Sequence, residues 1–141
     1  MEKINSTLLE FMAVSSEIDK AYHKAAVKLG LSDTKIYILY FLSQKKYSQK
    51  QICDLCGISK QTVNSAIKNL IAEDIVCPLR GEKNEIITLT SKGEKLIDEK
   101  ISLLIRAENN AIAQWSEEDR TRIVSLNKNF LSAFLKEIEK F

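Results

Sequence analysis

Apolar positions between residues 4 and 29 recur in steps of three, four and seven: Ile4, Leu8, Phe11, Ile18, Tyr22, Ala25 and Leu29. That period lays one stripe along a helix of about 25 residues, roughly 38 Å long. Gly30 ends it, because a residue without Cβ enters the left-handed C-cap at no steric cost. Ser32 is placed to cap a second helix with Ile36, Leu39, Tyr40 and Leu42 inward. Ser48 and Gln51 have the spacing of a capping box and open a short helix with Ile52 and Leu55 inward, broken at Gly57. Ser59 caps the next helix, whose inward positions are Val63, Ile67, Leu70 and Ile71.

The period then changes to two. Ile75 to Leu79 reads as a short strand, confined to a sheet edge by Pro78, whose nitrogen has no hydrogen to donate. Residues 81–84 read as a turn and Glu85 to Leu89 as the returning strand, so 75–89 is a predicted hairpin. Thr90 or Ser91 caps a further helix with Ile97, Ile101, Leu104 and Ile105 on one side. The chain bends near Trp115. Ser116 opens a last helix whose acidic first turn, Glu117, Glu118 and Asp119, suits the positive end of the helix dipole. Ile123, Leu126, Phe130, Phe134, Ile138 and Phe141 stripe that helix.

Three compact helices followed by a hairpin are the winged variant of the helix-turn-helix. The predicted fold is mainly α: a winged helix-turn-helix with dimerisation helices at both ends. The predicted organisation is a single domain over 1–141, with a nucleic-acid-binding lobe at 31–90 and dimerisation helices at 1–30 and 91–141. The striped end helices need an apolar partner, and two copies burying them against each other is the economical answer.

Composition narrows the classes. One Pro and four Gly in 141 residues leave little loop and argue against a sandwich or barrel. The longest apolar runs are too short to span a bilayer, so no membrane partner is expected. Three Cys without a secretion-signal pattern point to reduced thiols in a cytoplasmic protein. The net charge of +2 is small, but it all arises between residues 31 and 90, and 45–68 holds five Lys against one acid, Asp54. A partner for that stretch is anionic, unless it is simply a solvated lysine surface.

With Val63, Ile67 and Leu70 inward, Gln61, Asn64, Ser65 and Lys68 fall at i, i+3, i+4 and i+7 on the other face. That face carries amide, hydroxyl and ammonium groups and meets no acid until Glu73. These are the groups that donate to phosphates and base edges in a major groove, whereas an ordinary solvated helix face mixes acids with bases. Lys60 and Thr62 lie in the first turn, where backbone N–H groups also attract phosphate. Arg80, Lys83 and Asn84 stand near the hairpin tip, placed either to touch backbone or minor groove or to form a plain exposed turn flanked by Glu82 and Glu85.

At these residues the chain resembles the MarR family of bacterial transcriptional regulators. The resemblance is carried by Leu29-Gly-Leu-Ser32, by Gln51-Ile-Cys-Asp-Leu-Cys-Gly-Ile-Ser-Lys-Gln-Thr-Val63, by Leu70-Ile-Ala-Glu-Asp-Ile-Val76, and by Leu89-Thr-Ser-Lys-Gly93 after the wing. It implies a homodimer that grips double-stranded DNA at a pseudo-palindromic operator, usually as a repressor, and that lets go on meeting a small-molecule effector, a metal or thiol oxidation. Carried over by position, recognition-helix roles fall on Lys60, Gln61, Thr62, Asn64, Ser65 and Lys68. Two positions depart from the family pattern. Gly81 and Lys83 stand where the family's wing has Asp-x-Arg, which makes Lys83 a weaker substitute for a minor-groove arginine. Asp74 stands where the family has Gly after the recognition helix, and Asp tolerates a left-handed backbone better than most residues.

Cys53 and Cys56 form a CxxC inside the helix-turn-helix, at positions that usually hold small core residues. Packing is one reading; thiol or metal sensing that distorts the motif is the other. Three Cys and a lone His23 make a poor zinc set, so no metal and no cofactor is assigned. Tyr37, Tyr40 and Trp115 are read as core packing, with a cavity beside the lobe as the alternative. No catalytic constellation is present and an enzyme is not expected. The expected function is that of a sequence-specific DNA-binding transcriptional regulator, a homodimeric repressor released by a small ligand or thiol modification. The competing readings are a winged-helix protein-interaction module without DNA binding, and a metal- or redox-sensing regulator using Cys53 and Cys56.

Overall fold

The computed structural model describes residues 1–79 and 86–141. The chain forms two compact units, Met1–Leu103 and Leu104–Phe141. In the first unit α1 (Ser6–Leu29) is opened by Asn5, whose Oδ1 accepts from the Thr7 and Leu8 amides. It is closed by Gly30 at φ 66°, with Leu31 N donating to Ala26 O and Gly30 N to Val27 O. This is a Schellman closure, in which the left-handed residue lets the chain turn back and satisfy the last carbonyls. Lys100 Nζ adds a charged donor to Leu29 O at 2.6 Å.

The core is built on α2 (Asp33–Leu42), where Ile36, Ile38, Leu39 and Leu42 are all buried. Ile38 lies off the predicted stripe. A helix covered on more than one side carries no single apolar face, so periodicity alone undercounts its core. Next come β1 (Tyr47–Ser48), α3 (Gln49–Cys56) and α4 (Lys60–Ala72), then β2 (Val76–Leu79) and β3 (Ile86–Leu89). The sheet order is β1-β3-β2, all antiparallel, with Tyr47 opposite Ile87 and Pro78 opposite Ile87 from the other side. Pro78 therefore sits on an edge strand, as its missing donor requires. The two-residue strand β1 escapes sequence reading because it is short and its Ser48 also caps α3. The turn expected at 81–84, and Glu85 at the start of the returning strand, lie outside the described residues.

Two inward assignments are corrected. Leu55 is 45% exposed and Ile71 is 40% exposed. On α3 the inward side is held by Ile52, with Cys53 and Cys56 half-buried; on α4 Ala66 takes the place expected of Ile71. Which apolar positions of a short helix go inside depends on what the neighbouring elements cover, which periodicity alone does not carry.

The α4 exit turns on Asp74, the non-glycine residue with positive φ among the described residues, at 58°. Ile75 N donates to Leu70 O and Asp74 N to Ile71 O, a second Schellman closure. Holding an L-residue there costs about 1 kcal/mol relative to Gly. Asp74→Gly is expected to raise the unfolding free energy by about 0.5–1 kcal/mol, read by urea denaturation. A loss of stability would show instead that the Asp74 side chain has a structural task.

Thr90, not Ser91, caps α5 (Ser91–Leu96): its Oγ1 accepts from Gly93 N at 3.0 Å and donates to Asp74 O at 2.6 Å. The helix continues through a π-helical turn, Ile97–Ile101, into α6 (Ser102–Ile112), with Ile101 and Leu104 buried as the stripe predicts. In the second unit Ser116 Oγ accepts from Asp119 N and opens α7 (Glu117–Ile138) under its acidic first turn. Every residue of α7 is exposed in the single chain, its apolar stripe included. Ile4 and the forward part of α1 are exposed too, at Leu9, Met12, Val14 and Ile18. Among the described residues no helix is long and apolar enough to cross a membrane.

Candidate nucleic-acid interface

The site is the helix-turn-helix formed by α3, Gly57 and α4. Ser48 Oγ accepts from Gln51 N at 3.1 Å while Gln51 Oε1 accepts from Ser48 N at 2.9 Å, so the capping box is complete. Gly57 takes φ 59° and closes α3, and a Cβ there would meet no atom within 4 Å. Glycine is needed at this corner for its backbone, not for room. Ser59 Oγ accepts from Thr62 N at 3.2 Å and lies 2.7 Å from Thr62 Oγ1. Ile52, Val63, Ala66, Ile67 and Leu70 bury the inner side and fix the angle at which α4 leaves the core.

Lys60, Gln61, Thr62, Ser65 and Lys68 are exposed along the outer side of α4, as expected. Asn64 is not fully outward. It is half-buried, and its Oδ1 accepts from Gln49 Nε2 at 2.6 Å and, more weakly, from Cys53 Sγ at 3.8 Å. Gln49 is a residue the sequence did not single out; it sits one place after the cap of α3, and no spacing rule links positions 49 and 64. Arg80, Lys83 and Asn84 of the expected wing tip lie outside the described residues. At the far end of α4, Glu73 is held by Lys35 Nζ at 2.6 Å, and Lys92 Nζ donates to the Glu73 carbonyl at 2.7 Å. The first acid beyond the polar ridge is thus covered by cations, which keeps its field off the ridge.

Cys53, Cys56 and Cys77 are all free and half-buried. Burial, and then the neighbouring Cys53, push the Cys56 thiol up from its ordinary value, so it is held protonated. Among the described residues no three His, Cys, Asp or Glu side chains converge as a metal site. His23 Nδ1 pairs with Asp33 at 3.0 Å on the surface. Tyr37 borders a cavity of about 120 Å3 with Asp19, Tyr22, His23, Ala26, Asp33 and Ile36. Burial, then the Asp19 and Asp33 carboxylates, raise the Tyr37 phenol. Tyr40 packs edge-on to Phe41. Trp115, in the second unit, is exposed beside Asp119 and Arg122.

The sequence over residues 29–81 matches the family model of the MarR family. The winged-helix segment is thus similar to the MarR family. Over nearly its whole length the chain also has the fold of solved MarR regulators. A MarR family regulator from Neisseria meningitidis superposes with a TM-score of 0.86 at 18% identity, covering 97% of this chain and 99% of that one. MepR of S. aureus, solved as a DNA complex, superposes at 0.72 with 20% identity, covering 92% and 96%. The transcriptional regulator BldR from Sulfolobus solfataricus superposes at 0.68 with 21% identity, covering 94% and 99%. No curated protein sequence matches the chain. The MarR resemblance read from the sequence therefore holds for the winged-helix segment and for the fold.

Proposed function

We propose that the chain is a sequence-specific DNA-binding transcriptional regulator that works as a homodimeric repressor on a pseudo-palindromic operator. The observation that carries this reading is the outer side of α4, where Lys60, Gln61, Thr62, Ser65 and Lys68 are exposed with no acid among them. A helix so placed, capped at its entry and seated on a buried inner side, offers a major groove only donors and neutral hydrogen-bonding groups. That MepR was solved with DNA supports the same use of this fold. Homodimerisation is supported by the exposed apolar stripe of α7, whose Ile123, Leu126, Phe134 and Ile138 face water in the single chain. Two copies place two recognition helices in successive major grooves, each half adding to the other's effective concentration.

Release by a small ligand or by thiol modification completes the reading, and Cys56 is the less suited of the thiols. A reactive sensor thiol needs a lowered pKa and an electropositive setting, and Cys56 is shifted the other way by burial. A DNA-binding assay tests the whole reading. Lys68→Ala is expected to weaken every duplex alike and to flatten the dependence of log K on log salt by about one unit per lost phosphate contact. Equal affinity of the wild type for selected genomic fragments and random duplex would remove sequence specificity. Retention on no fragment at any salt would favour a protein-interaction module instead.

A further inference from the structure

The side-chain amide of an asparagine has one acceptor oxygen, with two lone pairs, and two N–H donors. In Asn64 the oxygen already accepts from Gln49 Nε2 and from Cys53 Sγ. All three residues are half-buried between α3 and α4, which shields the bonds from competing water. With both lone pairs engaged inside the helix-turn-helix, Nδ2 is the part of the amide left to meet another molecule.

We propose that Gln49 is a positioning residue that decides which base Asn64 reads, holding its amide as a pure donor so that it selects a keto base, guanine or thymine, over an amino base at one position of each half-site. The inference rests on the DNA-binding reading above and adds the letter preference. An unrestrained asparagine favours adenine, giving Nδ2–H to N7 and accepting from N6 through Oδ1. Asn64 cannot complete that pair while its oxygen is occupied. Guanine shows O6 and N7, both acceptors, and thymine shows O4, so a donor-only amide is satisfied by either. Cytosine shows only an exocyclic N–H2 to the Asn64 donors, and adenine can take one donor at N7 but leaves its N6–H2 unanswered, so both are less well satisfied than a keto base.

Substitutions that change only what Gln49 donates separate this from a packing role. Gln49→Glu keeps the size but can only accept, so it turns the Asn64 amide over and points Oδ1 outward. Gln49→Lys can only donate and leaves the amide as it is. Gln49→Ala releases it. The measurement is relative affinity, at one fixed salt concentration, of full-length protein for duplexes varied at each half-site position in turn. Wild type and Gln49→Lys are expected to prefer the keto base by about tenfold or more at one position, the worth of one good base contact. Gln49→Ala should lose the keto preference and move toward adenine, the choice of a released asparagine, and Gln49→Glu should prefer adenine more strongly at that position while other positions keep their order. Asn64→Ala should erase the preference in every background. An unchanged base order across the three Gln49 variants, with wild-type specificity intact, would overturn the inference and leave the DNA-binding reading standing. A wild type that discriminates among no duplexes would overturn both.

Discussion

Gly93→Ala is expected to destabilise the protein by about 3 kcal/mol, the upper range for forcing a methyl into a filled site, or roughly a 10 °C fall in Tm for a chain of this size. A Cβ at Gly93 would stand 2.1 Å from the Ile75 carbonyl oxygen and 3.1 Å from its carbon. Those are backbone atoms, and they are held from other directions. Ile75 O accepts from Thr90 N at 3.1 Å and from Thr90 Oγ1 at 3.1 Å, and Leu89 Cδ2 would be 3.2 Å from the new methyl. Relief therefore requires α5 to move off the strand pair or the Thr90 cap to break. The ordinary gain from replacing a helical Gly by Ala, about 1 kcal/mol, is of the opposite sign and too small to compensate. Thermal unfolding followed by circular dichroism measures the net effect, with exposed Lys95→Ala as a control. A rise in Tm would mean that α5 is loosely seated. The Leu-Thr-Ser-Lys-Gly stretch that carried much of the family likeness is thus, at its last residue, a close contact between a helix and the backbone of the wing's base.

Leu126→Glu is expected to leave the folded protomer intact while turning the dimer into a monomer and lowering operator affinity by a factor of about 100 or more, the loss when two linked binding halves become independent. Leu126 is 59% exposed in the single chain, so a charged side chain there costs the protomer almost nothing. In a dimer that buries the α7 stripe the same carboxylate would be taken out of water opposite apolar residues, which is strongly unfavourable. Sedimentation at micromolar concentration gives the assembly state, and duplex titration gives the affinity. A variant that stays dimeric and binds as before would move the interface away from α7.

Much of this molecule was legible from period and caps. The side-chain caps at Ser32, Ser48, Ser59, Thr90 and Ser116 all form, because a cap is a contact over two or three residues and needs no knowledge of the rest of the chain. The same holds for Gly30 and Gly57, whose left-handed backbone is a local matter, whereas the left-handed Asp74 was expected only through the family resemblance. The acid-free outer side of α4 followed from counting in threes and fours once Val63, Ile67 and Leu70 were set inward. The tertiary structure decided what depends on distance across the chain. It exposed Leu55 and Ile71 and buried Ile38 and Ala66, since which apolar residue goes inside depends on what the other elements cover. It added β1 through pairing with β3, a partner about forty positions away. It turned Asn64 partly inward onto Gln49 and Cys53, because a polar side chain at the rim of a helix pair takes the nearest donors whatever its sequence spacing. Local hydrogen bonding and periodicity are properties of a few consecutive residues; packing and cross-helix hydrogen bonds belong to the folded whole.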